Sequence, residues 1–368
     1  MAQIALNVAQ PMPAVLNHRI LRRTLIVTSC LCALLALAEL GARLLWTRKD
    51  PLSFCKLPAS AGDRALLRYD AAAGWTLRPN LSNQSGFGTV FSTNDQGLRM
   101  DRPFLPKPRT RVRIAFYGDD AGFGAGIAGD PYPALLEKGL NEAFPHAEID
   151  VVNLSMPGTS LLRIEGRIKD TIGWVRPDVV IVQSFVRDVA VEGVRDSLLS
   201  SAGIWERTLR RWAPSSTLAC GLLEKVESAR AHHPLDACGM RRVCTEDIMW
   251  CAMRIRDFCR ASGADFVMLA PLWRPPPADS ATQEQKCLIE IHSRVRDLGI
   301  WHSIQMHDSL GEHVTDEAAY LSGDLPLLSQ TGHEIVARSL KDLLRLRVWN
   351  RMNELAEAYP KEMKALDY

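Results

Sequence analysis

Four short blocks hold the residues best placed to do chemistry: Tyr117-Gly118-Asp119-Asp120-Ala121-Gly122-Phe123-Gly124, Asn153-Leu154-Ser155-Met156-Pro157-Gly158-Thr159-Ser160, Ser184-Phe185-Val186-Arg187-Asp188 and Gly323-Asp324-Leu325-Pro326-Leu327-Leu328-Ser329-Gln330-Thr331-Gly332-His333. The first three each follow a short apolar run and read as turns at the carboxyl ends of strands, where open parallel sheets bind ligands. They offer adjacent carboxylates at 119 and 120, hydroxyls at Ser155 and Ser184, and a cation at Arg187. Acyl-transfer chemistry would require more. A serine nucleophile needs a neighbouring base to take its proton, and the developing oxyanion needs donors around a vacant pocket.

In order and spacing these blocks resemble the SGNH (GDSL-like) hydrolases, particularly membrane-anchored envelope members from bacteria, over roughly residues 70 to 345. The resemblance implies a three-layer α/β/α, flavodoxin-like fold with a parallel sheet. It also implies a nucleophilic Ser in a Gly-Asp-Ser block, a Gly and an Asn that donate to the oxyanion, and a closing Asp-x-x-His. Carried onto this chain, the nucleophile's place is Asp120, the oxyanion glycine is kept as Gly158 and the Asn's place is Arg187. The acid is kept as Asp324, and the place of the general base is Leu327. Leu328-Ser329-x-x-Gly332-His333 matches the segment that follows the family's catalytic His, which fixes the register on Leu327.

Leu327 can accept no proton, and Asp120 would place a negative charge where a negative intermediate must form. The two changes at 120 and 187 look coupled, because a carboxylate and a guanidinium on neighbouring strand ends can form a charge-assisted pair. We therefore expect Asp120 and Arg187 to close the old oxyanion site; the competing expectation is an Arg187 free to hold an anionic ligand. His302, His307, His313 and His333 are the histidines from which a relocated base would come, and Ser155 and Ser184 the hydroxyls placed to act as nucleophile. Structural roles compete at each: a loop histidine, a buried histidine at the start of the last helix, and serines that close their turns.

Two function classes follow. One is a non-catalytic member of the hydrolase fold that binds a glycan, lipid or protein partner, or serves as an accessory subunit of a membrane or envelope complex. The alternative is an active esterase or O-acyltransferase acting on envelope glycan or lipid esters through relocated residues. A dinucleotide site at Gly122-x-Gly124-x-Gly126 lacks the required G-x-G-x-x-G spacing. No cofactor and no metal is expected.

The elements that must position these blocks follow from periodicity. Strands are expected at 112–117, 149–154, 178–183 and 265–270, with a short apolar piece at 300–306. Helices are expected at about 132–144, 160–175, 247–261 and 281–298, and a final one at 331–348, leaving 349–368 as a tail. Such alternation implies a parallel sheet covered by helices on both faces. Residues 50–110, with Gly74-Trp75, Arg78-Pro79-Asn80 and Asn94-Asp95-Gln96-Gly97, read as a loop-rich segment with short strands. The stretch at about 191–243 interrupts the α/β domain of 111–348 with Arg-rich helical pieces, as an insertion or lid.

The chain has 368 residues, 47% of them hydrophobic, which is ample for a buried core and excludes global disorder. Lys plus Arg number 44 against 42 Asp plus Glu, a formal charge of +2, so nothing points to nucleic acid. Apolarity peaks in Thr24 to Trp46, preceded by the tail 1–23 with Arg19, Arg22 and Arg23. About 20 apolar residues cross a bilayer core, so 24–46 is expected to anchor the chain in the bilayer. Glu39 and Arg43, four apart, can pair on one helix face. A signal peptide cut near Ala36-Leu37-Ala38 and a lipoprotein site at Cys30 are the alternatives. The family resemblance implies a single-pass protein of a bacterial inner membrane with its main domain in the periplasm. Of nine cysteines, Cys220, Cys238, Cys244, Cys251 and Cys259 could form disulfides or pack as buried thiols, and no C-x-x-C supports a zinc site.

Overall fold

A strand buried on both faces needs apolar side chains on both, and the runs VRIAFY, IDVVN and VVIV largely supply them. The computed structural model describes residues 18–47, 49–54, 60–100, 102–184, 188, 204–231, 245–272, 286, 289–290, 293, 304–311, 316–321, 327–360 and 362. In chain order the elements are α1 (His18–Leu45), α2 (Ala61–Ala65), β1 (Leu67–Asp70), β2 (Gly74–Leu77), β3 (Gln84–Gly86), β4 (Thr89–Phe91), β5 (Val112–Tyr117), α3 (Asp120–Phe123) and α4 (Tyr132–Ala143). They continue with β6 (Ile149–Asn153), α5 (Leu161–Val175), β7 (Val179–Val182), α6 (Ile204–Trp212), α7 (Thr217–Ala231), α8 (Thr245–Ala261), β8 (Asp265–Leu269), β9 (Gln305–His307) and α9 (Gln330–Ala358).

Strands β6-β5-β7-β8-β9 form one all-parallel sheet. Numbered from its first strand the order is 2-1-3-4-5, so the chain reverses direction across the sheet between β5 and β7, where ligand crevices open. Alternate side chains feed two cores. Ala115, Tyr117, Val180 and Val182 pack with α5 and α8, whereas Ile114, Phe116, Val179 and Ile181 pack with α4 and α9. This is the three-layer arrangement expected from the sequence. A third cluster joins Leu67, Trp75, Leu77 and Phe91 of the β1–β2 and β3–β4 hairpins to Phe123, Ala125 and Met156, so the loop-rich segment is clamped onto the strand-end turns.

Several elements differ from expectation. The last helix runs to Ala358, ten residues into the stretch read as a tail, because Leu355 is buried and Met352 and Tyr359 pack on the same core. The expected helix at 281–298 is described only at Lys286, Ile289, Glu290 and Ser293, all helical. The insertion, described from 204 to 231, forms two helices, α6 and α7, that pack on each other. Cys251 and Cys259 are buried free thiols, which selects the buried-thiol reading for these two, and Cys220 is buried as well; Cys55, Cys238, Cys244 and Cys287 lie outside the described residues. Burial pushes the Cys259 thiol up to about 12.

Helix α1 carries an apolar segment, Leu21–Leu45, long enough to cross a membrane and almost wholly unburied, which supports membrane association. Arg43 Nε donates to Glu39 Oε1 over 2.8 Å, the pairing expected on one helix face.

Candidate functional site

The turns after β5, β6 and β7 meet, as their sequences require. Met156 N donates to the Gly118 carbonyl (2.8 Å) and Gln183 N to the Tyr117 carbonyl (2.9 Å), tying the second and third turns to the first. Asn153 spans the same joint: its Nδ2 donates to the Gly122 carbonyl (3.1 Å) and its Oδ1 accepts from Ser155 N (3.0 Å). Glycine is required in the first turn, because a Cβ at Gly118 or Gly122 would stand 2.9 or 2.5 Å from Ser155 Oγ.

Asp120 is buried at the start of the one-turn helix α3, and Asp119 caps that helix with Oδ1 accepting from Ala121 N (3.1 Å). Asp119 Oδ2 is buried without a hydrogen-bond partner. Burial, with the charge of Asp120 beside it, raises the Asp119 carboxyl to about 7. Ser155 Oγ is likewise buried and unpartnered. Ser184 differs: its Oγ donates to Asp188 Oδ2 (2.6 Å), and Asp188 Oδ1 accepts from Leu161 N (2.8 Å) at the start of α5.

Leu327, in the last block, lies beside the first. It packs against the cluster containing Phe123 and Ala125, its amide carbonyl accepts from Leu321 N (2.7 Å), and a Cβ on Gly126 would touch its Cδ1 at 3.8 Å. Gly158 adopts φ +68°, the left-handed region that glycine enters freely. Arg187 and Asp324 lie outside the described residues, and so does the expected Asp120–Arg187 contact.

No described histidine hydrogen-bonds to Ser155 or Ser184. His333 is fully buried: its Nδ1 accepts from Tyr132 N (3.0 Å), and its ring stacks on that of Tyr132 with centroids 5.3 Å apart. Burial and the nearby Arg99 charge lower it to about 3, so it stays neutral. His307 Nε2 contacts Ser339 Oγ (2.9 Å). His302 and His313 lie outside the described residues.

Sequence reasoning assigned no role to Asp119, Gln183, Asp188 or Arg99. Gln183 Oε1 accepts from Asp119 N (3.4 Å). Arg99 donates to the Phe123 and Gly124 carbonyls at the end of α3, with its guanidinium carbon 4.8 Å from the Phe123 ring centroid. Burial lowers its pKa to about 10. The doubled acid after an apolar strand was the available signal for Asp119; Arg99, in a loop segment, gave none. Among the described residues no group of three His, Cys, Asp or Glu is placed to hold a metal ion.

No protein-family model matches the chain, and no curated protein matches it in sequence. Solved structures do. A lipase/acylhydrolase from Enterococcus faecalis is 13% identical, over 64% of this chain and 96% of its own, with a TM-score of 0.41. A GDSL-like lipase from Bacteroides thetaiotaomicron is 9% identical, over 66% and 93%, with a TM-score of 0.41. The acetylxylan esterase Axe2 from Geobacillus stearothermophilus is 15% identical, over 65% and 95%, with a TM-score of 0.42. The fold is established by strand order, and the chain is a parallel five-stranded α/β protein whose strand-end blocks resemble those of the SGNH hydrolases.

Proposed function

We propose that this protein is a membrane-anchored member of the SGNH hydrolase fold that has exchanged hydrolysis for binding, as an accessory subunit of a bacterial membrane or envelope complex. The observation that carries this reading is Leu327: a side chain unable to accept a proton packs against the first block, at the position where the resemblance puts the base. The absence of any histidine on Ser155 or Ser184 among the described residues supports it, since a nucleophilic hydroxyl requires such a base. Pairing of Asp120 with Arg187 belongs to the same reading, as does placement of the main domain in the periplasm. The resemblance to envelope proteins, and not the charge of the anchor's flanks, motivates that placement.

One observation favours the alternative, an esterase or O-acyltransferase with relocated residues. Ser155 Oγ and Asp119 Oδ2 are both buried and unpartnered on adjoining turns, and the Asp119 carboxyl is raised to about 7, a range suited to proton transfer.

The deciding experiment is hydrolysis of p-nitrophenyl acetate by the full chain in detergent, beside a triple variant Asp120→Ser, Arg187→Asn, Leu327→His and the single variant Ser155→Ala. A silent wild type with an active triple variant is the expected result. Wild-type turnover that Ser155→Ala abolishes would overturn the binding reading in favour of the enzyme.

A further inference from the structure

The anchor does more than tether the domain. Glu39, six residues before the end of the apolar segment at Leu45, accepts Ser216 Oγ (2.7 Å), Thr217 N (3.0 Å) and Leu218 N (3.1 Å). These are the first groups of α7, so a carboxylate of the apolar helix caps the insertion's second helix. Trp46 closes the contact one turn further on: a Cβ on Gly221 would stand 2.6 Å from its ring, and Cys220 Sγ donates to the Lys49 carbonyl (3.2 Å).

This contact fixes the depth of the insertion. At 1.5 Å per residue, Glu39 lies about 9 Å inside the end of the apolar segment, and Ser216 to Leu218 are held at that level. Ser216 N donates in turn to the Trp212 carbonyl (2.9 Å), which brings the end of α6 to the same depth.

Helix α6 presents there a face whose large apolar side chains are left exposed by the described residues. At 100° per residue Ile204, Trp205, Thr208, Arg211 and Trp212 share one side. Ile204, Trp205 and Trp212 are 78%, 60% and 59% exposed. The opposite side is closed by the buried pair Glu206–Arg210 (2.9 Å). Arg207 and Arg211 are exposed and flank the tryptophans. Tryptophan and arginine on one face of a short helix match the head-group layer, where an amphipathic ring sits at the water boundary and a guanidinium meets phosphate.

We propose that the α6–α7 pair is a second membrane contact, laying Trp205 and Trp212 in the head-group layer beside α1 with Arg207 and Arg211 on anionic lipid phosphates. The proposal rests on α1 being a membrane span. It extends the site of bilayer contact beyond the anchor to the insertion and orients the domain on the membrane.

The test is tryptophan emission of the full chain in nanodiscs of phosphatidylcholine, alone or mixed with phosphatidylglycerol, made with acyl-chain-brominated or ordinary lipid. Subtracting the emission of the double variant Trp205→Phe, Trp212→Phe isolates the two tryptophans. The expected difference emission is blue-shifted and more strongly quenched by brominated lipid than the remaining emission. In Arg207→Glu, Arg211→Glu the quenching falls in the phosphatidylglycerol discs. Discs that carry the chain but leave the difference emission unquenched would overturn the proposal alone, and so would shielding that depends on protein concentration and not on lipid, which marks a protein partner. A chain that fails to enter discs would overturn the anchor reading and the proposal with it.

Discussion

Ser184 donates to Asp188 over 2.6 Å, and the second oxygen of the same carboxylate holds the Leu161 amide at 2.8 Å. One buried side chain thus joins the end of β7 to the start of α5. The hydroxyl read from the sequence as a candidate nucleophile is committed as a donor, which leaves Ser155 as the unpartnered serine of the two.

Removing that donor is expected to cost stability. Ser184→Ala takes one hydrogen bond from a buried carboxylate, about 2 kcal/mol, and Asp188→Ala strands two donors, about 3 kcal/mol. Asp188→Asn keeps an oxygen for Leu161 and should lie nearer wild type. Urea unfolding midpoints of the full chain in detergent give the order; equal midpoints for all three would remove the joint from the account.

Gly122 and Ser155 are coupled by space. A methyl group at 122 would meet Ser155 Oγ at 2.5 Å and the Phe116 ring at 2.8 Å. Gly122→Ala is therefore expected to destabilise by about 2 kcal/mol through overpacking. Adding Ser155→Gly should recover only part, with a coupling of about 1 kcal/mol, because the Phe116 clash remains. A double-mutant cycle of unfolding free energies measures it, and strict additivity would mean that the turn relaxes away from Ser155.

The sheet was legible because buried parallel strands write themselves as unbroken apolar runs, and the first three blocks because each follows such a run at a fixed place. The register onto Leu327 rests instead on the resemblance, through Leu328-Ser329-x-x-Gly332-His333. What escaped were partnerships that span the chain: Glu39 with Ser216, Arg99 with the end of α3, and Asp188 with Leu161, each joining residues more than twenty positions apart. The extension of the last helix escaped because its inward residues after Val348, Met352 and Leu355, are sparse among charges. Asp119 was visible but uninterpretable, since the burial that raises its carboxyl belongs to the folded turn.

Asp119 should leave a signature in the pH dependence of stability. Its carboxyl titrates near 3.8 when free and near 7 in the fold, so between these values the native state binds more protons than the unfolded chain. Stability from this group is accordingly present below about 3.8 and declines as pH rises through about 7. Asp119→Asn keeps an acceptor for Ala121 and removes the decline, so the variant is expected to be the more stable at pH 8. A variant whose unfolding midpoint follows wild type from pH 5 to pH 8 would show that Asp119 is charged in the fold throughout.

His333 carries the opposite slope. Its imidazole titrates near 6.5 when free and near 3 in the fold, because burial and the charge of Arg99 disfavour the imidazolium. The unfolded chain binds the extra proton here, so the stability this group contributes is full above about 6.5 and is lost as pH falls toward about 3. Between about 4 and 6.5 the two groups oppose each other, and wild type should be flatter there than either single variant. His333→Gln, which can still accept from Tyr132 N, is expected to resist acid better than wild type while Asp119→Asn resists it less. An imidazole signal of His333 that titrates near 6.5 in the folded protein, read by NMR, would instead place water at its Nε2 and remove the histidine from the buried core.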